Sequence, residues 1–397
     1  MRIFKALSHR TIQRLWLGQV FSGIGDEVYM IALIWFATQL IGTDAGYVAS
    51  LQAGSIFLFS LIGGVWADHR DNRRIMIISD LVRGIAVLIL PLSTFFVPLS
   101  LWLLLPVAIV VSSLSAFFAP ALKAFLPTMI EDQPLLETTN ALMETTNRFA
   151  RVLGPGFIGA LSRLVPVVHY FSLDALSFFI SAWSISTIPR ATQIETPHER
   201  SSLMATLSAG YRLCCKDPLV MYLMVAGAFA SAAWLFVYPL GITLYLKEKI
   251  TGDVGALGWA IFGYGIGNIT SNLILSNMTI RFPARLIFIG ELFGGFGFIV
   301  FALSQNLIQA MCACAITAIG GPMTDLGLIT LLQRKFRGRD LVRIHRFNMA
   351  TGYGLLLIVL LLSPFIFHFV SVPHAIIISA LFIAGPGMIG MSFFKNR

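Results

Sequence analysis

Charge is scarce in this sequence: Asp, Glu, Lys and Arg together make up 12% of 397 residues, against roughly 25% in an ordinary soluble chain. A water-facing surface cannot be covered at that density, so a soluble globular protein is excluded. Cysteine is also rare. Cys214 and Cys215 are adjacent, and Cys312 and Cys314 lie in an apolar run, neither with zinc-site spacing, so all four are read as reduced and structural. The seven histidines are scattered. No H-E-x-x-H, G-x-S-x-G or G-x-x-x-x-G-K-[ST] occurs, which argues against a metallohydrolase, a serine hydrolase and an ATP-driven pump. No enzyme activity, metal or cofactor is expected.

What is present instead is apolar: 57% of residues are hydrophobic, and the mean hydropathy is +0.81. Residues 45–67, 84–122, 218–246, 254–280, 292–324 and 347–394 carry no Asp, Glu, Lys or Arg at all. A bilayer core takes ~20 apolar residues per helix, so several of these stretches hold two. Pro98 and Pro373 mark the breaks, because the residue before a proline leaves the helical region. Adding runs interrupted by one or two charges predicts twelve helices, at 13–40, 45–67, 74–96, 101–127, 138–163, 167–188, 218–246, 253–279, 283–304, 307–333, 340–368 and 373–394. No alternating barrel strands occur, so an all-α membrane protein is expected.

Orientation follows from the 28 Lys and Arg residues. With the N-terminus inside, Arg163, Lys247 and Lys249 fall at outer helix ends and the rest lie on the cytoplasmic side or in the inner parts of helices. Both termini are therefore expected in the cytoplasm of a cell whose inner membrane holds the chain. This partition accounts for the net charge of +9 through contact with anionic lipid, with no nucleic-acid partner. The first helix is too long for a signal peptide and no cleavage site follows it, so no processing is expected.

The polar segment 189–217 divides the chain into six-helix halves, 1–188 and 218–397. Halves of this kind around a midplane site are a recurring secondary-transporter plan. Leu203, Leu207 and Tyr211 repeat at helical spacing within the segment and suggest a short amphipathic helix on the inner leaflet.

An ionisable residue inside a span is a functional-site hypothesis by default. Asp26 and Glu27 sit mid-helix and point ~100° apart; Gln19, Ser22, Asp26 and Tyr29 form a polar stripe, which selects Asp26 as the cavity-lining proton carrier and leaves Glu27 as the alternate. Glu144, Arg148 and Arg151 share one helix face, either as an ion-pair stripe or as a site where Arg148 and Arg151 hold an anionic substrate. Asn268, Asn272 and Ser276 line one side of the eighth span. Thr317, Thr324 and Asp325 accompany an expected break at Gly320-Gly321-Pro322, and Asn348 and Thr351 begin the eleventh span. Trp234 and Tyr238, four residues apart, are candidates to stack on a ligand or to face lipid. Asp174 and Glu291 are read as structural.

Between the second and third spans stands Gly64-Val65-Trp66-Ala67-Asp68-His69-Arg70-Asp71-Asn72-Arg73-Arg74, followed by Asp80 and Arg83 on one helical face. This resembles the loop motif of the major facilitator superfamily, Gly-x-x-x-Asp-Arg-x-Gly-Arg-Arg or Lys, with His69, Asp71 and Asn72 departing from it. Ala119-Pro120-Ala121-Leu122-Lys123-Ala124-Phe125-Leu126-Pro127 and Ala150-Arg151-Val152-Leu153-Gly154-Pro155-Gly156-Phe157-Ile158-Gly159 are similar to the branch that holds the enterobactin exporter and the macrolide-efflux proteins. The resemblance implies the twelve-helix fold and export by rocking of two halves. In that setting Gly64, Asp68, Arg73, Arg74, Asp80 and Arg83 act as gate elements, and Gly154, Pro155 and Gly159 form a thin, bent contact. The expected activity is proton-coupled export of a small amphipathic molecule by a monomer. A siderophore is the expected cargo, with antibiotic efflux as the alternative and a membrane scaffold or receptor as the rival class.

Overall fold

The computed structural model describes residues 6–67, 71–189 and 203–394. Among these residues it is helical throughout, with no strand. The helices are α1 (Arg10–Ile41), α2 (Ala45–Ala67), α3 (Asn72–Ser93), α4 (Leu101–Met129), α5 (Gln133–Leu161), α6 (Val168–Ser186), α7 (Leu203–Cys215), α8 (Pro218–Leu235), α9 (Val254–Ser276), α10 (Pro283–Ala302), α11 (Leu307–Lys335), α12 (Gly338–Phe369) and α13 (Val372–Phe393). Eight helical stretches are long and apolar enough to cross a membrane, with Arg10–Phe59 counted as one. The helices outside that set are α5, α6, α7 and α9. Three of these carry polar groups within the helix: Glu144, Arg148 and Arg151, all exposed, on α5, the buried Asp174 on α6, and Asn268 and Asn272 on α9. Such groups lower hydropathy where a helix turns toward protein rather than lipid.

Helix ends follow local chemistry. α1 stops at Gly42, whose φ of 58° is left-handed and free of strain for glycine. Asp71 caps α3 by accepting from the Arg74 backbone N–H at 3.2 Å, which gives the departure from glycine at that motif position a structural use. Asp217 caps α8 through the Leu219 and Val220 amides, with Pro218 in the first turn. Past α8 the chain kinks at Tyr238, whose φ of −104° and ψ of 120° are not helical, because Pro239 has no N–H to give the ladder; helical turns then resume and end in a wide π turn at Leu246–Ile250.

One expectation changes and another holds. The break at Gly320-Gly321-Pro322 is absent: α11 runs through it, and Gly320 packs backbone to backbone on Gly290 of α10, so the glycine serves close approach rather than termination. The amphipathic helix in the linker exists as α7, and Gly210 and Tyr211 dock it on Phe347 of α12. Residues 190–202 of that linker lie outside the described residues.

The helices form two compact units, one mainly of α1–α6 and the other mainly of α7–α13. In the first, neighbours run in the order α5, α1, α6, α3, α4. In the second they run α12, α8, α13, α10, α11. Counting spans from the start of each unit, α1 answers to α8, α3 to α10 and α6 to α13, so the packing order repeats. Leu15, Met76, Phe125 and Ile185 are among the core residues of the first unit; Leu223, Phe288, Leu332 and Ile344 are among those of the second.

Candidate functional site

In the first unit the chemistry gathers on Arg83. This residue lies eleven positions into α3, is 2% exposed, and forms an ion pair with Asp80, one turn earlier on the same helix. Its other guanidinium nitrogen lies 3.1 Å from Ser115 Oγ of α4 and 3.9 Å from Asp26 Oδ1 of α1. The rings of Phe118 and Phe178 flank the guanidinium at 4.8 and 4.2 Å, a cation–π setting that holds its plane. Asp80 and Asp174 are fully buried, and each keeps one carboxylate oxygen without a hydrogen-bond partner. Asp26 differs, with 45% of its side chain exposed.

Asp174 reaches the cluster from α6 because Gly25 of α1 leaves room for it. A β-carbon at Gly25 would stand 2.6 Å from Asp174 Oδ1. Ser177 donates to the same carboxylate, and Ser181 stands beside Asp80 while accepting from Gln19 Nε2 at 3.3 Å. Three helices thus bring three carboxylates around one guanidinium. The sequence spacing paired Asp80 with Arg83 but gave no means of placing Asp26 or Asp174 beside them.

The remaining expected residues fall elsewhere. Ser22 is buried. Glu27 points to α5, where its Oε1 lies 3.8 Å from Arg151 Nε and its Cβ fills the space over Gly154. Arg148 pairs with Glu144 at 3.3 Å. Pro155 and Gly159 are buried within an unbroken α5. Arg73 donates to the Ile185 and Ser186 carbonyls, and Arg14 donates to Thr187 O at 3.1 Å, so two cations cap the C-terminal end of α6. Arg74 pairs with Asp71 at 3.4 Å. Gly64 belongs to the last turn of α2, and Asp68 lies outside the described residues.

The second unit presents a different surface. Trp234 and Tyr238 stack at 4.8 Å and 18°, and Tyr264 of α9 leans on both at 5.8 and 5.0 Å. Asn268 and Asn272 continue the face of Tyr264 at intervals of four, with the Asn272 amide donating to Asn268 Oδ1 at 3.1 Å. Tyr264 escaped the sequence reading, although its spacing from Asn268 was a usable signal. Among the described residues no cluster of His, Cys, Asp or Glu is arranged to hold a metal ion.

A family model described as transmembrane secretion effector matches residues 2–331 of this chain. Similar sequences include the multidrug efflux pump Tap of Mycolicibacterium fortuitum, 23% identical over 334 residues and spanning 80% of each protein. Macrolide efflux protein A of Streptococcus pyogenes is 22% identical over 386 residues, covering 93% of this chain and 92% of its own. Among solved structures, the POT family transporter PepTSo aligns with a TM-score of 0.76 at 12% identity over 98% of each chain. A bacterial homologue of the iron transporter ferroportin aligns at 0.70 and 13% identity, over 98% of this chain and 99% of its own. At such identities the structural likeness concerns the fold.

Proposed function

This chain belongs to the transmembrane secretion effector family of the major facilitator superfamily, and on that premise we propose that it is a proton-driven exporter of small amphipathic drugs or antibiotics. Its relatives are transporters rather than enzymes. The observation that carries the coupling is the charge balance around Arg83. One guanidinium balances one carboxylate, and leaving the others ionised in a low-dielectric interior costs on the order of several kcal/mol. Proton uptake relieves that imbalance and proton loss restores it. Asp26 is the member with open surface, so we assign it the exchanging proton, while Asp80, Arg83 and Asp174 sense its charge.

The cargo assignment rests on the named activities of the relatives and on the uncharged aromatic and amide face of Trp234, Tyr238, Tyr264, Asn268 and Asn272. A siderophore reading asks Arg148 and Arg151 to hold an anion. Glu144 and Glu27 already answer those arginines, so the charge balance favours drug efflux. The proposal includes twelve spans, with α1 and α2 counted separately and α5, α6 and α9 joining the apolar set, two halves divided at 189–217, both termini on the cytoplasmic side of an inner membrane, and a monomeric carrier.

The test is efflux from proteoliposomes of purified protein under an imposed pH gradient, with ethidium and a macrolide as cargo. Gradient-dependent movement that a protonophore collapses supports the proposal. Absence of movement for every drug, together with loss of an iron chelator from the supernatant of a gene-deletion strain, rejects drug efflux in favour of siderophore export.

A further inference from the structure

The repeated packing order lets the two units be laid on one another helix by helix, and one residue then stands out. Asp80 lies eight positions after the first residue of α3; Glu291 lies eight positions after the first residue of α10, the counterpart helix. Both face the last helix of their own unit. Asp80 neighbours Ser181 of α6, and Glu291 packs against Gly387 of α13. The difference lies one turn further on, where α3 has Arg83 and α10 has Gly294. Glu291 is 4% exposed, its Oε2 has no hydrogen-bond partner, and no described Lys or Arg pairs with it.

We infer that Glu291 is a second proton-exchange site, which takes up and releases a proton once per transport cycle. Its surroundings limit what it can bind. From α13 it meets Gly387. From α8 the nearby titratable group is Tyr222, whose hydroxyl is committed to the Pro386 carbonyl at 2.5 Å. From α11 the neighbours of the adjacent Gly290 are Gly320, Met323 and Thr324. None of these supplies a positive charge, and Glu291 itself is buried. A proton is the cation that fits, and it neutralises the carboxylate without a partner side chain. Asp80 in the first unit is paired with Arg83, whereas Glu291 has the proton alone as its counter-charge.

The inference rests on the proton-driven reading above, and two measurements keep the two separable. Dicyclohexylcarbodiimide modifies protonated carboxyls in apolar surroundings, so the intact protein is treated across a pH series and the adduct on the Glu291 peptide is quantified by mass spectrometry. A severalfold fall in adduct from the acid to the alkaline end of the series is expected for an exchanging site. An adduct that stays constant, or never forms, overturns the inference, because a fixed structural acid does not titrate. In proteoliposomes, the logarithm of cargo accumulation is plotted against the imposed pH difference. A slope near two in the wild type and near one in Glu291→Gln is expected, since glutamine keeps the shape of the protonated acid and removes one proton. An unchanged slope in Glu291→Gln overturns the inference while leaving proton-driven export standing. A wild type that ignores the pH gradient rejects the coupling in both forms, whatever the labelling shows.

Discussion

Gly25 and Asp174 meet across the α1–α6 contact with no space for a side chain between them: a β-carbon at Gly25 would lie 2.6 Å from Asp174 Oδ1. A residue whose size is set by a carboxylate on another helix positions that carboxylate as surely as a hydrogen bond would.

Gly25→Ala should therefore push Asp174 and Ser177 aside. Overpacking of this kind costs about 1–3 kcal/mol, and the displaced carboxylate should reduce gradient-driven efflux more than it reduces stability. Thermal unfolding in detergent and dye efflux, measured on the same preparation, check the pair of effects. Full efflux with normal unfolding would show that Asp174 tolerates displacement.

Arg83→Gln removes the cation from a cluster of buried carboxylates. Breaking a buried pair from one side costs about 3–5 kcal/mol, so this variant should be poorly stable. Arg83→Gln combined with Asp80→Asn should recover part of the loss, because the second change removes a charge left without a partner. A double-mutant cycle on melting temperature reads the coupling, and strict additivity would separate the two residues.

Asp26→Asn should abolish efflux driven by a pH gradient while leaving drug binding intact, since Asp26 lies 3.9 Å from Arg83 with its side chain part open. Glu27→Gln should do less. It releases Arg151, whose side chain is 71% exposed, so the freed cation is solvated by water. Equal efflux from both variants would remove Asp26 from the coupling role.

Trp234→Ala and Tyr264→Ala should each weaken binding of an aromatic drug, with little effect on the pH dependence of transport. Equilibrium binding of ethidium, followed by fluorescence, measures this directly. Unchanged affinity in both would place the cargo elsewhere.

A pH effect on stability is expected at Asp217, at the start of α8. Burial would raise its carboxyl, but the Lys335 ammonium and the Val220 and Leu219 amides outweigh burial and hold it below the usual range. A depressed folded-state value stabilises the fold above the ordinary carboxylate pKa of about 3.9, and that contribution is lost as pH falls through the folded-state value. Melting temperature should therefore drop in acid for the wild type. Asp217→Asn should melt lower at neutral pH and show a flatter acid limb.

Helix positions were legible in the sequence because charge-free runs and prolines bound them: α2 occupies its expected residues, and α4, α10 and α13 begin within one residue of expectation. The kink at Tyr238, inside the expected span 218–246, left no periodic signal, and the Gly320-Gly321-Pro322 run gave a misleading one. Glycine and proline read as a break unless the close approach of a neighbouring helix is known. The same limit governed the site. Spacing along one helix showed that Asp80 and Arg83 share a face, but which helices adjoin is a tertiary fact, so Asp174 looked structural. Tyr264 lies four residues before Asn268 on the same face of α9, but its contact with Trp234 and Tyr238 depends on which helices adjoin.

The repeated order of helices in the two units has an evolutionary consequence. One scaffold occurs twice, yet the ionic cluster sits on one copy and the aromatic surface on the other. Under the proposed function, mutations around Trp234 and Tyr264 can retune which molecules are expelled without disturbing the acquisition of energy at Asp26. Resistance to a new compound can then arise by substitutions confined to that aromatic surface, with Asp26 and Glu291 unchanged.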